Sequence, residues 1–169
     1  MKLKKLFALA LAGVMALALL TGCSDSRSKA KQVEECFRSL MKTRQNVDYQ
    51  KDETLDKKLE AIAQQFQPDW LDNRTGGLTE HARTIIINEL RGYLLTGSVW
   101  LWYGEVKPGQ SALAQAESMK YSQGIEIALL DSGIPTLQAI AFTMTGKKSD
   151  GHRYYLALRT NATIKTPQG

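Results

Sequence analysis

Few side chains in this sequence are of kinds that do chemistry, and their spacing narrows the choice further. There are two cysteines, two histidines and six tyrosines. Cys23 stands where an apolar run ends, just after the small residues Thr21 and Gly22. Cys36 falls among Val33, Phe37, Leu40 and Met41, at the i, i+3, i+4, i+7 and i+8 spacing of one apolar helical face, so it reads as a buried, inert thiol. His81 lies near the start of a helical stretch and is a candidate general base, although a solvent-facing helix-start histidine has the same signature. His152 follows a loop glycine and reads as exposed. Asp69, Tyr103, Tyr121 and Tyr154 form an acid/base set if the fold makes them converge, with Asp69, His81 and Tyr121 as the catalytic candidates. No histidine–carboxylate grouping has metal-ligand spacing, and there is no Cys-x-x-Cys, glycine-rich phosphate loop or Gly-x-Ser-x-Gly elbow. No cofactor or metal is expected.

The strongest signal is positional. Lys2, Lys4 and Lys5 precede an apolar run from Leu6 to Leu20, and Thr21-Gly22 follows, which is the layout of a secretory signal over residues 1–22. The run is 15 residues, roughly 22 Å of helix at about 1.5 Å per residue, too short for a hydrocarbon core of about 30 Å. Leu20-Thr21-Gly22-Cys23 resembles the lipobox of bacterial lipoproteins. The resemblance implies cleavage before Cys23, thioether lipidation of its sulfur and acylation, palmitate included, of the new N-terminus. The protein is then expected in the cell envelope. Ser24, rather than aspartate, follows the cysteine. In a diderm host that resembles the pattern sorted to the outer membrane, facing the periplasm. In a monoderm host the anchor is the extracytoplasmic face of the plasma membrane.

Removing residues 1–22 changes the charge balance. Three lysines and no acid go with the segment, leaving 19 basic against 17 acidic residues, a net charge of +2 rather than +5. The mature part has no basic run interleaved with aromatics, which argues against a nucleic-acid partner. The remaining 147 residues suit one domain with a real core. With Cys23 lipidated, Cys36 has no partner for an intramolecular disulfide.

The chain is organised as a tether over 23–28, one α+β domain over 29–165 and a tail over 166–169. Periodicity predicts a helix to about Arg44, a second over 53–66 ended by Pro68, a turn at Pro68–Leu71 with Trp70 folded back on the core, and a third capped by Thr79 and running to about Leu95. From Ser98 the period becomes two. Strands are expected over 98–106, 119–131, 136–145 and 152–164, with a short helix or ordered loop at 111–118 and a hairpin loop at 146–151. Helices followed by an antiparallel meander predict helices packed on one face of a curved antiparallel sheet. This order of elements over about residues 28–165 resembles the NTF2-like (SnoaL-like) cone superfamily. The resemblance implies a conical pocket between helices and sheet, dimerisation through the outer sheet face, and an accessory or binding role more often than an enzymatic one.

One strand sets a further condition. Val99, Leu101 and Tyr103 alternate with Trp100 and Trp102, so both faces are apolar. If the helices cover one face, the other must meet a homodimer partner, an assembly partner or the 107–118 segment, and Trp100 and Trp102 are candidate interface residues. Three functions remain: a lipid-anchored, non-catalytic binding or assembly module, with a secretion- or conjugation-type complex as one version; a small-molecule isomerase or hydrolase; and a glycan or cell-wall binder that stacks sugars on Trp100 and Trp102.

Overall fold

The computed structural model describes residues 26–72, 77–122, 124–128 and 137–164. The signal segment, Cys23, the turn at 132–135 and the tail lie outside them. Helix α1 spans Ser26–Gln45 and α2 spans Glu53–Gln65. The Asp52 side chain accepts from the Leu55 amide at 2.7 Å, satisfying one of the four free N–H groups that open α2. Pro68–Trp70 is a 3-10 turn, and Trp70 is buried against Phe66 as its sequence position predicts. Helix α3 is Glu80–Leu90, capped by Thr79 through the Ala82 amide. It stops five residues short of the expected Leu95. Gly92 takes a left-handed φ of 86° and turns the chain, so Leu94 already belongs to the first strand.

The strands are β1 (Leu94–Glu105), β2 (Lys120–Tyr121), β3 (Ile125–Ala128), β4 (Leu137–Met144) and β5 (Tyr154–Ile164), with the short helix α4 (Ala112–Glu117) after β1. The expected strand over 119–131 is interrupted after Tyr121. There Gly124 lies so close to the Trp100 indole that a Cβ on it would stand 2.9 Å from Nε1. The fold is α+β with an open antiparallel sheet, but the sheet is not a meander. Its order is β2-β1-β5-β4, with β3 also on β1. The first long strand pairs with the last, from Leu94↔Ile164 to Glu105↔Tyr154. The two longest strands thereby take the centre, and the short β2 and β3 lie at one side. Gly97, at φ 122°, sits at an irregularity in the ladder, where its hydrogen faces the Asn161–Ala162 backbone.

The helices do not share one face. Val99, Leu101, Leu156, Leu158, Ala139 and Ala141 point towards α2 and α3. Trp102, Ile140, Tyr155 and Ala157 point the other way, under Val33, Phe37 and Met41 of α1 and Ala112 and Ala116 of α4. Register accounts for the split, because Leu101↔Leu158↔Ala141 and Trp102↔Ala157↔Phe142 are successive rows on opposite sides. The second layer over the tryptophans is therefore supplied by this chain: by the 107–118 segment, as one of the expected options had it, and by α1, which was not expected there. Cys36 also departs from expectation. The buried stripe of α1 is Val33, Phe37 and Met41, and Cys36 lies at its margin, half-buried, with Leu40. Its thiol is pushed up by burial and by the neighbouring Glu35 charge, which keeps it protonated.

Candidate functional site

A cleft of about 540 Å³ lies between the 68–72 segment and the end of β1. Tyr103 and Glu105 reach it from one face of β1, since residues i and i+2 of a strand share a face, and Tyr154 stands opposite Glu105 in the ladder. Asp72 closes one side, Lys107 and Lys120 the other. Gly104 allows Met119 to pass, as a Cβ there would come within 3.0 Å of the methionine Cγ.

The rim is braced. Buried Gln115 of α4 donates from Nε2 to the Glu105 carbonyl at 2.7 Å and accepts at Oε1 from the Lys107 amide at 2.9 Å. It ties the short helix back to the end of β1 across the turn at Pro108-Gly109. On the opposite rim Asp150 accepts from the His152 amide and the Tyr154 hydroxyl, closing the β4–β5 hairpin. His152 Nδ1 lies 3.0 Å from Glu105 Oε1.

These contacts set the proton states. Burial pushes the Tyr103 phenol up. Burial, then the hydrogen bond to Asp150 and the charges of Asp150 and Glu105, push Tyr154 up to about 12. Asp150 is held below the ordinary carboxylate range by the Tyr154 hydroxyl and the His152 amide. The Tyr154 O–H is spent on Asp150, so the cleft offers the Tyr103 phenol, ammonium groups and carboxylate acceptors, a set suited to hydrogen-bonding a polar ligand.

Of the proposed acid/base set, the fold brings Tyr103 and Tyr154 into this cleft and leaves the other two outside its lining. Asp69 is exposed on the 3-10 turn, next to Pro68, which does line the cleft. Tyr121 is 61% exposed, and its ring lies 4.8 Å from that of Trp102 on the opposite face of the sheet. His81 is exposed in the first turn of α3. Glu105, Asp72, Lys107, Lys120 and Gln115 were not singled out from sequence. Only Glu105 carried a signal, two residues beyond Tyr103 on an alternating strand.

The tryptophans do not form an open stacking platform. Trp102 is 8% exposed, with Phe37 edge-on at 5.4 Å. Trp100 carries the Arg159 guanidinium 3.9 Å above its ring. Among the described residues no three histidine, cysteine, aspartate or glutamate side chains cluster as a metal site, and no helix is long and apolar enough to cross a membrane. No protein-family model matches the chain, and no curated protein or solved structure matches it.

Proposed function

We propose that this protein is a lipid-anchored lipoprotein of the bacterial cell envelope whose domain is a non-catalytic binding or assembly module. In this reading Cys23 carries the lipid, and residues 23–28 tether the domain to the membrane. The domain is an NTF2-like cone whose cleft lies between the 68–72 segment and the end of β1. A diacyl or triacyl cysteine supplies the second chain that stable anchoring needs. The observation that carries the binding role is the polar lining of the cleft. Tyr103, Asp72, Glu105, Lys107 and Lys120 converge on one cavity, so hydrogen-bond donors and acceptors for a polar ligand meet there.

A second reading is supported by the same cleft. Asp72, Glu105, Tyr103 and Tyr154 line one cavity, and a small-molecule isomerase or hydrolase needs such a convergence. The experiment begins with mass spectrometry of the N-terminal peptide of membrane-extracted protein. Lipid on Cys23, and release of a Cys23→Ala variant from the membrane, are expected; an intact residue 1–22 segment on unmodified protein overturns the anchor. Crosslinking in detergent-solubilised membranes then separates the roles. A discrete higher-mass complex that disappears in Tyr103→Phe with Glu105→Gln supports the binding module. Turnover of a small molecule that the same changes abolish replaces it with the enzyme.

A further inference from the structure

Beyond the cleft, one edge of the sheet is only partly covered. Backbone groups of a strand alternate in direction, so the bonds at either end of β4 identify which residues face outward. Ile140 donates to the Gln50 carbonyl at 3.2 Å, and its own carbonyl accepts from Arg38, so residue 140 faces away from β5. Thr145 donates to the Tyr154 carbonyl at 2.8 Å, so residue 145 faces β5. Phe142 and Met144 therefore turn their N–H and C=O groups outward. Gln50 covers the edge only at 138–140, through a parallel bridge, before the chain enters α2. Among the described residues no backbone partner reaches the outward groups of Phe142 and Met144.

Two grooves flank this stretch, one on each face, as the alternating side chains of an added strand require. The groove beside α1 is walled by Lys31, Glu34 and Lys51 over Phe142. Its one carboxylate is already shared by Arg38 and Lys51, at 2.8 and 3.0 Å, so the wall is net positive. The groove beside α2 is walled by Glu60, Gln64 and Lys148. There the Lys148 ammonium donates to the Ala63 and Gln64 carbonyls and is fixed in place.

We infer that the Phe142–Met144 edge captures an extended segment of a partner protein as an added strand, with acidic side chains alternating towards Lys31 and Lys51 and uncharged ones towards α2. The inference rests on the binding-module reading and gives it a surface and a class of partner.

The test uses a fluorescein-labelled hexapeptide of alternating valine and aspartate, with a valine–lysine counterpart, against the full chain in detergent. Anisotropy should show the acidic peptide binding at low salt, at least tenfold tighter than the basic one. Met144→Pro removes an outward N–H without breaking a bond to β5, and should weaken binding at least tenfold with an unchanged circular dichroism spectrum. If that variant unfolds, Lys31→Glu with Lys51→Glu, both at the surface, should abolish the preference for the acidic peptide. Hydrogen exchange at the Phe142 and Met144 amides should be fast in the free chain and slow with peptide. Failure of the acidic peptide to bind, equal binding of both peptides, or slow exchange in the free chain overturns the proposal. So does a dimer that Met144→Pro dissociates, which would make a second copy the occupant. Each of these results leaves lipidation of Cys23 as a separate outcome, so the edge and the anchor fail independently.

Discussion

The two faces of the sheet are built from different materials. The face under α2 and α3 is mainly aliphatic, with Leu55, Leu59, Ile62, Ile86 and Leu90 interleaved with Leu101, Leu156 and Leu158. The face under α1 and α4 is aromatic and carries, among the described residues, three buried polar atoms without partners, Trp102 Nε1, Arg38 Nη1 and Arg159 Nε, against Tyr93 Oη beside the first face. Each such atom forgoes its hydrogen bond to water, about 1–3 kcal/mol where a partner is lost outright. The first face is thus a core in the ordinary sense. The second is a cover, held by a few directional contacts, such as Arg38 to the Ile140 carbonyl and Lys29 to the Gln110 carbonyl. An apolar strand face can be satisfied by either kind of layer, and burial alone does not distinguish them.

The largest expected effect tests the first face. Trp70→Ala should cost about 4 kcal/mol in denaturant unfolding, because it empties a packed site beside Phe66. Phe37→Ala, in the cover, should cost about 3 kcal/mol and should speed amide exchange in α1 more than in β5. If the two layers are separate, the double variant should be additive within about 0.5 kcal/mol. A larger coupling would make the molecule one core.

Gly97→Ala probes the sheet that both layers share. Its Cβ would meet the Asn161 carbonyl oxygen at 2.4 Å, on a φ that L residues avoid. A loss of about 2–4 kcal/mol is expected, with both layers loosened together in hydrogen exchange. Loss of protection in one layer alone would break the comparison.

The acid response belongs to the cover. Burial alone would raise the Glu34 carboxyl, but hydrogen bonds from Arg38 and Lys51 outweigh it and hold the group below its usual 4.5. A depressed carboxyl contributes stability above its unfolded value and loses it as pH falls through the folded value. Asp56, raised by burial, works in the opposite sense, since its protonation at low pH relieves a cost. Glu34→Gln should therefore flatten the decline in stability below about pH 4.5 by about 0.5–1 kcal/mol, read from thermal unfolding at pH 6 and pH 3. The smallest effect is Trp102→Phe. It removes an unpartnered indole N–H while keeping an aromatic ring against Phe37, so stability should change by less than about 1 kcal/mol. A large loss would mean that the indole N–H is satisfied in solution.

Local patterns in the sequence were sufficient for much of the fold. The Thr79 cap, the stop before Pro68, the inward turn of Trp70 and the hairpin at 146–151 depend on residues within a few positions of one another, so neighbouring side chains specify them. The end of α3 was also legible in principle, at Gly92, but Tyr93 and Leu94 continue the apolar period past it and mask the stop. The pairing of β1 with β5, the placement of α1 on the face opposite α2, and the meeting of Tyr103, Glu105 and Tyr154 in one cleft were decided only by the tertiary structure. These arrangements join stretches of chain forty-nine or more positions apart. A strand that is apolar on both faces states that two layers are needed, but not which part of the chain supplies each, because hydrophobic burial is non-directional.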